Sequence, residues 1–322
     1  MTTPGLPHLA HTLVELTKAR LVTLVLVTTA VGFTLASRPP FAWSGFAWTL
    51  LGTALAAAGV MSLNQAIEWR RDAAMERTRA RPVASGEVSP RRAAWFGGLV
   101  TGSGLAVLAL RVNLLTALLG LAVVVLYVAV YTPLKTRSTL CTLAGAVCGA
   151  IPPMMGWSGA AGRLEFGAWI LAFLLFVWQI PHFLALAWMY RADYERGGFR
   201  MLPLVDPTGE VTSRVAVLYC IALLPVGFVA TMAGMAGWIA TFGALACGGA
   251  LLLLGAQLAR TRSDASARRL FLATLAYLPL LLAFLVLDRT PPRAVGGDGA
   301  GVRVTAAANG AGVPPMPPAI LE

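Results

Sequence analysis

The sequence predicts an all-α polytopic membrane protein with nine transmembrane helices around a central cavity. Of its 322 residues, 57% are hydrophobic and only 12% are charged, whereas soluble globular domains carry about 25% charged residues. Apolar segments of roughly 17 to 25 residues, the length that crosses a bilayer, recur along the chain. These observations exclude a soluble enzyme and a disordered or disulfide-stapled secreted protein.

Nine apolar segments meet the length requirement. We place them at residues 19–37, 45–67, 93–110, 113–131, 139–160, 166–190, 214–235, 238–259 and 269–287. The third and fourth spans, and the seventh and eighth, are so close in sequence that each pair is expected to form a tight hairpin. Charged loops at 68–92 and 191–214 follow the second and sixth spans, which predicts two four-helix units plus a ninth helix. The transmembrane domain is expected at 1–290, and the Gly-, Ala- and Pro-rich tail 291–322 is expected to be disordered.

The basic residues predict the orientation in the membrane. With a cytoplasmic N-terminus and a C-terminus on the opposite side, the 25 Lys and Arg residues are cytoplasmic except for Arg38, Arg111, Arg163, Arg289, Arg293 and Arg303. This agrees with the positive-inside rule. The net charge of +11 therefore indicates basic loops at the surface of a cell (inner) membrane. Membrane lipid is the expected partner, and a nucleic acid is not. All four cysteines lie in apolar runs without a C-x-x-C pair, which predicts packing and not metal binding.

Three oxygen-bearing side chains are spaced four residues apart at the end of the second span. Asn64, Glu68 and Asp72 share one face of an α-helix over roughly 12 Å, because four residues advance about 400°. We call these three residues the acidic stripe. Mg²⁺ takes oxygen ligands and is usually held by one or two carboxylates together with substrate phosphates. The alternative is a polar helix end whose carboxylates pair with neighbouring arginines.

Basic residues are concentrated near the acidic stripe. Arg77 and Arg81 follow it, Lys135 and Arg137 close the fourth span, and Lys18 precedes the first. On the predicted topology they converge on one side of the membrane, where cations beside carboxylates favour a polyanion bridged through Mg²⁺. Taken one by one, they are more typical of orientation signals or of side chains that snorkel to the interface.

A histidine and a further acid mark the sixth span. His182 lies in its apolar part, and Asp193 follows eleven residues later, on nearly the same face and roughly 16 Å away if the helix is straight. Pro181 favours a bend between them. An ionisable group inside a membrane helix is a functional candidate, although a structural histidine bonded to a backbone carbonyl is the alternative. Nearby aromatic residues predict an apolar lining: Trp178, Phe183 and Tyr190.

Several short motifs resemble those of one enzyme family. They are N-x₃-E-x₃-D-x₂-M-x-R-T from Asn64, Y-T-x-L-K from Tyr131, P-P-x-x-G-W from Pro152, W-Q-x-P-H-F from Trp178, D-Y at Asp193 and M-L-P from Met201. From about residue 12 to 287, the chain resembles the protohaem IX farnesyltransferase (haem O synthase) family of UbiA-type intramembrane prenyltransferases. The first motif alone is typical of the superfamily, whereas W-Q-x-P-H-F together with M-L-P is typical of the haem branch.

The resemblance implies two acidic motifs that face each other at the cytoplasmic mouth of the cavity, with Mg²⁺ between them and a prenyl diphosphate. The implied Mg²⁺ ligands are Asn64, Glu68, Asp72 and Asp193, which with His182 are the implied catalytic residues. From their positions we expect the flanking cations to bind the diphosphate: Lys18, Arg77, Arg81, Lys135 and Arg137. The expected lining of the acceptor or carbocation is Trp178, Phe183 and Tyr190.

The implied reaction transfers farnesyl from farnesyl diphosphate to a vinyl group of haem B and adds water, giving haem O for terminal oxidase biogenesis. Haem A synthase or terminal oxidase assembly proteins are the implied partners. His182 stands where quinone-type relatives have an acid, and its role stays open between ligating or orienting haem and relaying a proton. Two positions depart from the family pattern: Ala19 replaces a customary proline, and Cys141 stands where asparagine is common.

Three other functions are compatible with parts of the pattern. A prenyltransferase for a quinone precursor or chlorophyllide would share the acidic stripe, but His182 replaces one of its acids. A transporter could use buried acids as an ion relay, although such acids tend towards the bilayer midplane. A non-catalytic haem carrier would need no pair of acidic motifs.

Overall fold

The computed structural model describes residues 6–290, so the tail predicted to be disordered lies outside the described residues. In chain order the helices are α1 (Leu6–Leu16), α2 (Ala19–Ala36), α3 (Trp43–Ala74), α4 (Pro90–Arg111), α5 (Leu114–Val125), α6 (Thr132–Leu134), α7 (Cys141–Ala161), α8 (Phe166–Met189), α9 (Arg191–Arg196), α10 (Leu202–Val205), α11 (Glu210–Leu223), α12 (Val226–Met232), α13 (Trp238–Thr261) and α14 (Asp264–Leu287). A π-helical segment, Leu126–Tyr131, joins α5 to α6. The predicted all-α class is confirmed.

Eight stretches of the described chain are long and apolar enough to cross a membrane. They are Ala19–Ala36, Trp43–Ala74, Pro90–Arg111, Leu114–Leu134, Phe166–Met189, Glu210–Met232, Trp238–Thr261 and Asp264–Leu287. The predicted fifth span corresponds to α7, whose 21 residues are sufficient in length. Its two prolines and many small residues make it less apolar than the others. The chain is a multi-pass membrane protein, and nine spans stay a prediction.

Helix α8 is the most enclosed of these spans. In its apolar window 72% of the residues are buried, compared with 17–44% in the other seven. It packs against α7, α11 and α14. The helix continues through Pro181 and ends at Met189, because Tyr190 has the non-helical angles φ −109° and ψ 26°. His182 and Asp193 therefore lie on two helices, α8 and α9, so the condition of one straight helix is not met, and the break falls at Tyr190 instead of Pro181.

Helices α2 and α7 cross with their backbones in contact. A Cβ atom added at Gly156 would lie 1.9 Å from the carbonyl oxygen of Thr29, and one added at Gly32 would lie 2.1 Å from that of Pro153. Small residues allow membrane helices to approach this closely. The close crossing brings both helices into the wall of one central cavity.

The fourth span ends in a widened turn. The backbone N–H of Thr132 and its hydroxyl, at 2.8 Å, both donate to the carbonyl oxygen of Tyr127, and Pro133 has no N–H to donate. Such π-helical turns are frequent at functional sites. Here the turn places Tyr127 and Tyr131 on the cavity wall and is followed by Lys135, which reaches the acidic stripe.

The N-terminal segment forms a helix, α1, that the sequence did not predict. The side-chain amide of Gln65 on α3 donates to the carbonyl oxygens of Glu15 at 2.8 Å and Leu16 at 3.1 Å. These bonds fix the end of α1 next to α3. Lys18 follows in the left-handed conformation, with φ 49° and ψ 53°, and α2 begins at Ala19 without the customary proline.

Candidate active site

The acidic stripe lies on one face of α3 and is buried. Asn64, Glu68 and Asp72 are only 1%, 3% and 1% exposed. The side-chain amide nitrogen of Asn64 donates to Oε2 of Glu68 at 2.8 Å. The stripe forms because α3 continues unbroken from Trp43 to Ala74, well beyond its apolar part.

Three of the five predicted diphosphate-binding cations contact the acidic stripe. Lys135 Nζ lies 3.0 Å from both carboxylate oxygens of Glu68. Arg81 Nη1 donates to both oxygens of Asp72, at 2.8 and 2.7 Å. Lys18 Nζ donates to Oδ1 of Asn64 at 2.8 Å. The stripe is therefore paired with cations from three separate parts of the chain.

A turn after α3 returns Arg81 to Asp72. The hydroxyl of Thr78, which is 1% exposed, donates to the carbonyl oxygen of Asp72 at 2.8 Å. The N–H of Arg81 in turn bonds to the carbonyl oxygen of Thr78 at 3.0 Å. The R-T motif thus closes the helix end and positions the arginine that follows.

The other two predicted cations do not reach the acidic stripe. Arg77 is exposed, and its guanidinium lies over the rings of Tyr190 and Tyr194, at 5.2 and 5.9 Å. The side chain of Arg137 is also exposed, and its carbonyl oxygen accepts a bond from Arg200 at 3.5 Å. Their roles in binding diphosphate stay predictions.

Asp193 connects the loop after α8 to the loop after α3. Its carboxylate accepts the backbone N–H groups of Glu76 at 3.1 Å and Arg77 at 3.2 Å, and it pairs with Arg196. Burial by itself raises the pKa of Asp193, but these hydrogen bonds and Arg196 outweigh it, so the pKa lies below its usual value. The charged loops that follow α3 and α8 are therefore in direct contact.

The two lysines that contact the acidic stripe have shifted pKa values. Burial, followed by the nearby charges of Arg81 and Lys135, lowers the pKa of Lys18 to about 7. Burial also tends to lower the pKa of Lys135, but the charge of Glu68 reverses this and the pKa is raised. Lys135 therefore stays charged, while Lys18 releases its proton more easily than Lys135 does.

The donor chemistry of the acidic stripe fits a hard divalent ion. It offers one amide oxygen and two carboxylates, all buried on one helix face. Within residues 6–290, no three His, Cys, Asp or Glu side chains are close enough to hold a metal ion by themselves. A site here would therefore combine the carboxylates with the oxygen of Asn64 and with ligand oxygens, as Mg²⁺ sites with substrate phosphates do.

An apolar cavity of about 260 Å³ lies next to the acidic stripe, although neither the stripe nor the cations that contact it line its wall. Tyr131 lines it, and the ring of Tyr131 lies 4.5 Å from Lys135 Nζ. Two of the predicted lining residues, Trp178 and Phe183, are on its wall, whereas Tyr190 is not and lies under Arg77. The end of α8 at Met189 explains why Tyr190 turns away from the cavity.

Sequence reasoning missed Tyr127 and Tyr131 as site residues. Both line the cavity, and their rings are 5.0 Å apart. Their four-residue spacing just before Lys135 is a signal that could have indicated a common helix face.

His182 lines the cavity from α8. Its ring stacks with that of Trp178, at a centroid distance of 5.1 Å, and with that of Phe271, at 4.9 Å. Its Nδ1 atom lies 2.9 Å from the hydroxyl of Thr274 on α14. The alternative of a histidine bonded to a backbone carbonyl is thus replaced by a bond to a side-chain hydroxyl.

Cations and buried acids beside an apolar cavity in a membrane bundle are the arrangement expected of an intramembrane prenyltransferase. The chain matches the model of the UbiA prenyltransferase family over residues 25–285. The chain belongs to this family. The predicted activity of a prenyltransferase is thereby confirmed.

Several protoheme IX farnesyltransferases are similar to this chain over most of its length. A protoheme IX farnesyltransferase from Solibacter usitatus is 40% identical over 285 residues, which cover 86% of this chain and 98% of the relative. One from an Anaeromyxobacter species is 44% identical, with coverages of 88% and 95%. The mitochondrial enzyme of Homo sapiens is 42% identical, and the match covers 89% of this chain and 63% of the human protein. These matches confirm the resemblance to the haem branch.

Solved structures of low sequence identity share the fold. A digeranylgeranylglyceryl phosphate synthase has a TM-score of 0.73 at 13% identity, with 87% of this chain and 98% of that chain covered. A UbiA homologue from Archaeoglobus fulgidus bound to GPP and Mg²⁺ has a TM-score of 0.58 at 14% identity, with coverages of 85% and 99%. At these identities the likeness shows the UbiA fold alone.

Proposed function

We propose that this prenyltransferase transfers a farnesyl group from farnesyl diphosphate to a vinyl group of haem B, with addition of water, to give haem O. One observation carries the proposal: Lys18, Arg81 and Lys135 converge on the acidic stripe next to an apolar cavity. This arrangement suits a ligand with a polyanionic head and a long apolar tail. The names of relatives that are 40–44% identical support this donor and acceptor.

The diphosphate head is expected to bind between the acidic stripe and its cations. Lys135 and Arg81 contact carboxylates that are 4% and 2% exposed, so both cations are already at the mouth when the head enters. Turning towards phosphate oxygens keeps each cation next to negative charge, and arginine suits phosphate because it can donate two bonds. Arg77 and Arg137 are proposed to contact the head from the exposed side.

Mg²⁺, when bound, would neutralise phosphate charge and favour departure of diphosphate. Asn64, Glu68 and Asp72 are the proposed ligands on α3, with Asp193 as the proposed ligand of the other loop. The carboxylate of Asp193 now holds the backbone N–H groups of Glu76 and Arg77. As a ligand it would also order the loop that carries Arg77 and Arg81.

The cavity wall is proposed to protect the allylic cation from water. When the C–O bond to diphosphate breaks, the leaving group keeps the electron pair, and charge on it is stabilised by Lys135 and Arg81. Aromatic faces can stabilise a cation by up to about 2 kcal/mol each in a dry site. Trp178 and Phe183, together with Tyr127 and Tyr131, supply such faces.

The reaction is completed when the farnesyl cation adds to the vinyl group of haem B. The terminal vinyl carbon forms the new C–C bond with farnesyl, and the positive charge moves to the carbon next to the porphyrin ring. A water molecule adds there and loses a proton, which gives the hydroxyethylfarnesyl side chain. No change in the oxidation state of iron is needed.

The proposed location is the cell (inner) membrane, with a cytoplasmic N-terminus and the C-terminus on the opposite side. The distribution of Lys and Arg supports this orientation, and it places the mouth of the cavity on the cytoplasmic side. Haem A synthase and terminal oxidase assembly proteins are the proposed partners, because they would receive haem O.

The test is product analysis with the purified protein in lipid nanodiscs. We expect mass spectrometry to show haem O when farnesyl diphosphate, haem B and Mg²⁺ are supplied, and no product when haem B is replaced by a quinone precursor or chlorophyllide. Asp72→Ala should abolish turnover, whereas Glu195→Gln, which removes an exposed carboxylate of α9, should leave it unchanged. Haem O formed by Asp72→Ala after chelation of Mg²⁺ would contradict the metal-assisted mechanism. Farnesyl transfer to a quinone precursor instead of haem would contradict the proposed acceptor.

A further inference from the structure

We propose that Thr274 is a positioning residue that holds His182 in the tautomer protonated at Nδ1. The Nε2 atom of His182 then offers a free lone pair to the iron of the haem acceptor in the cavity. The inference deepens the proposed function, because it rests on haem as the acceptor. It decides between the roles that the sequence left open for His182.

The Thr274 hydroxyl has a single hydrogen to donate. Its Oγ1 atom lies 2.6 Å from the carbonyl oxygen of Phe271 and 2.9 Å from Nδ1 of His182. A carbonyl oxygen can only accept, so the single hydroxyl hydrogen is directed to Phe271. The bond to His182 therefore requires a hydrogen on Nδ1. In a neutral imidazole this leaves Nε2 without a proton.

The ring of His182 is held by two aromatic neighbours. Trp178 and Phe271 both stack on it, with interplanar angles of 20° and 26°. The indole N–H of Trp178 donates to the carbonyl oxygen of the same Thr274, at 2.9 Å. Thr274 is 0% exposed. One buried residue of α14 thus holds both His182 and one of its stacking partners on α8.

The ring of His182 has one nitrogen that is not bonded to α14. His182 and Trp178 line the cavity, whereas Thr274 and Phe271 do not. Because Nδ1 is bonded to Thr274, outside the cavity wall, Nε2 is the ring nitrogen left to face the cavity. Nε2 has no hydrogen-bond partner in the described part of the chain. A neutral imidazole with one nitrogen fixed by a hydrogen bond and the other free is the usual form of a histidine that ligates iron.

The variants follow from this geometry. Thr274→Val keeps the shape of the side chain and removes the hydroxyl, whereas Thr274→Ser retains it. Thr241→Val is the matched control, because Thr241 is 2% exposed and its hydroxyl bonds to Thr231 at 2.7 Å, away from His182. Each protein is titrated with ferric haem B, and its absorption and electron paramagnetic resonance spectra are recorded. Steady-state assays then give kcat and KM for each substrate.

We expect an imidazole-ligated haem in the wild type that is lost in Thr274→Val. Loss of a residue that orients a metal ligand weakens metal affinity about 10- to 100-fold, so KM for haem should rise by that factor while KM for farnesyl diphosphate stays constant. Thr274→Ser and Thr241→Val should resemble the wild type. Equal haem spectra and equal KM for haem in Thr274→Val and the wild type would overturn the inference.

A measurement on the wild type guards against a variant that does not fold. Nitrogen-15 labelling of histidine, with the His182 signal assigned by its loss in His182→Gln, reports which ring nitrogen carries the proton. The Nε2-protonated tautomer would overturn the inference. Haem O formation by a wild type whose haem has no imidazole ligand would overturn the inference and leave the proposed function intact. Imidazole-ligated haem without any haem O would overturn the proposed function and support the inference.

Discussion

Replacement of Lys135 tests how the site balances its buried charges. Lys135 Nζ lies 3.0 Å from both oxygens of Glu68, and the two side chains are 11% and 4% exposed. Lys135→Met keeps most of the apolar stem and leaves the carboxylate without its cation. Removing one partner of a buried pair costs about 3–5 kcal/mol. Asn64 still donates to Glu68 at 2.8 Å and the pair lies at the mouth, so we expect about 3 kcal/mol, the lower limit of that range.

The assay is a double-mutant cycle of Lys135→Met, Glu68→Gln and the double variant. The free energy of unfolding is measured by titration of detergent micelles with sodium dodecyl sulfate, and turnover by formation of haem O. We expect the double variant to be more stable than the sum of the single losses predicts, by about 2 kcal/mol, because neither charge is then left unpaired. All three variants should lose turnover. The double variant regains stability, but it still lacks the cation of Lys135 for diphosphate.

Two results would refute this reasoning. Losses of stability that add within about 0.5 kcal/mol would show that the two side chains do not interact. Full turnover of the double variant would show that the pair has no part in binding the diphosphate head. Glu195→Gln, at an exposed position of α9, is the control for the removal of an acid without a buried partner.

Two further predictions concern the scaffold. Gly156→Ala should destabilise the bundle by about 1–3 kcal/mol, because its Cβ would lie 1.9 Å from the carbonyl oxygen of Thr29. Gly98→Ala is the control: nothing lies within 4 Å of its Cβ, so it should be neutral or stabilising in the same unfolding titration. Equal stabilities of the two variants would contradict the close crossing of α2 and α7. Asp206 accepts the backbone N–H of Thr212 at 2.7 Å, and although burial alone raises its pKa, the hydrogen bonds outweigh this and the pKa is lowered. Asp206→Ala should therefore lower the free energy of unfolding by about 1–2 kcal/mol at pH values above the usual carboxyl pKa of about 4. The difference from wild type should shrink as the pH falls through the lower pKa of the folded state. A difference that grows on acidification would contradict this prediction.

The sequence was sufficient to predict the acidic stripe and the cations that contact it. Asn64, Glu68 and Asp72 repeat at helical spacing within one continuous helix, so their common face follows from local geometry alone. The convergence of Lys18, Arg81 and Lys135 followed from counting spans, because charged span ends on one side of a bilayer share a surface. The fold class followed from composition.

The parts that were missed depend on backbone breaks and on long-range pairing. The end of α8 at Met189 separates Tyr190 and Asp193 from the face of His182, and no breaker residue at Tyr190 signals it. Thr274 lies 92 residues from His182, and nothing in its local pattern distinguishes it from other small polar residues of a membrane helix. The π-helical turn that exposes Tyr127 to the cavity was likewise not visible in the hydrophobic period.

The pairing of the stripe with Lys135 and Arg81 has a consequence for selectivity. A bare divalent ion that approaches Glu68 and Asp72 must displace an ammonium and a guanidinium group and leave both without a counter-ion. An ion that arrives with diphosphate gives the displaced groups new anionic neighbours, so the number of opposite-charge contacts is conserved. We therefore expect Glu68 and Asp72 to bind Mg²⁺ together with a diphosphate more readily than they bind free Mg²⁺.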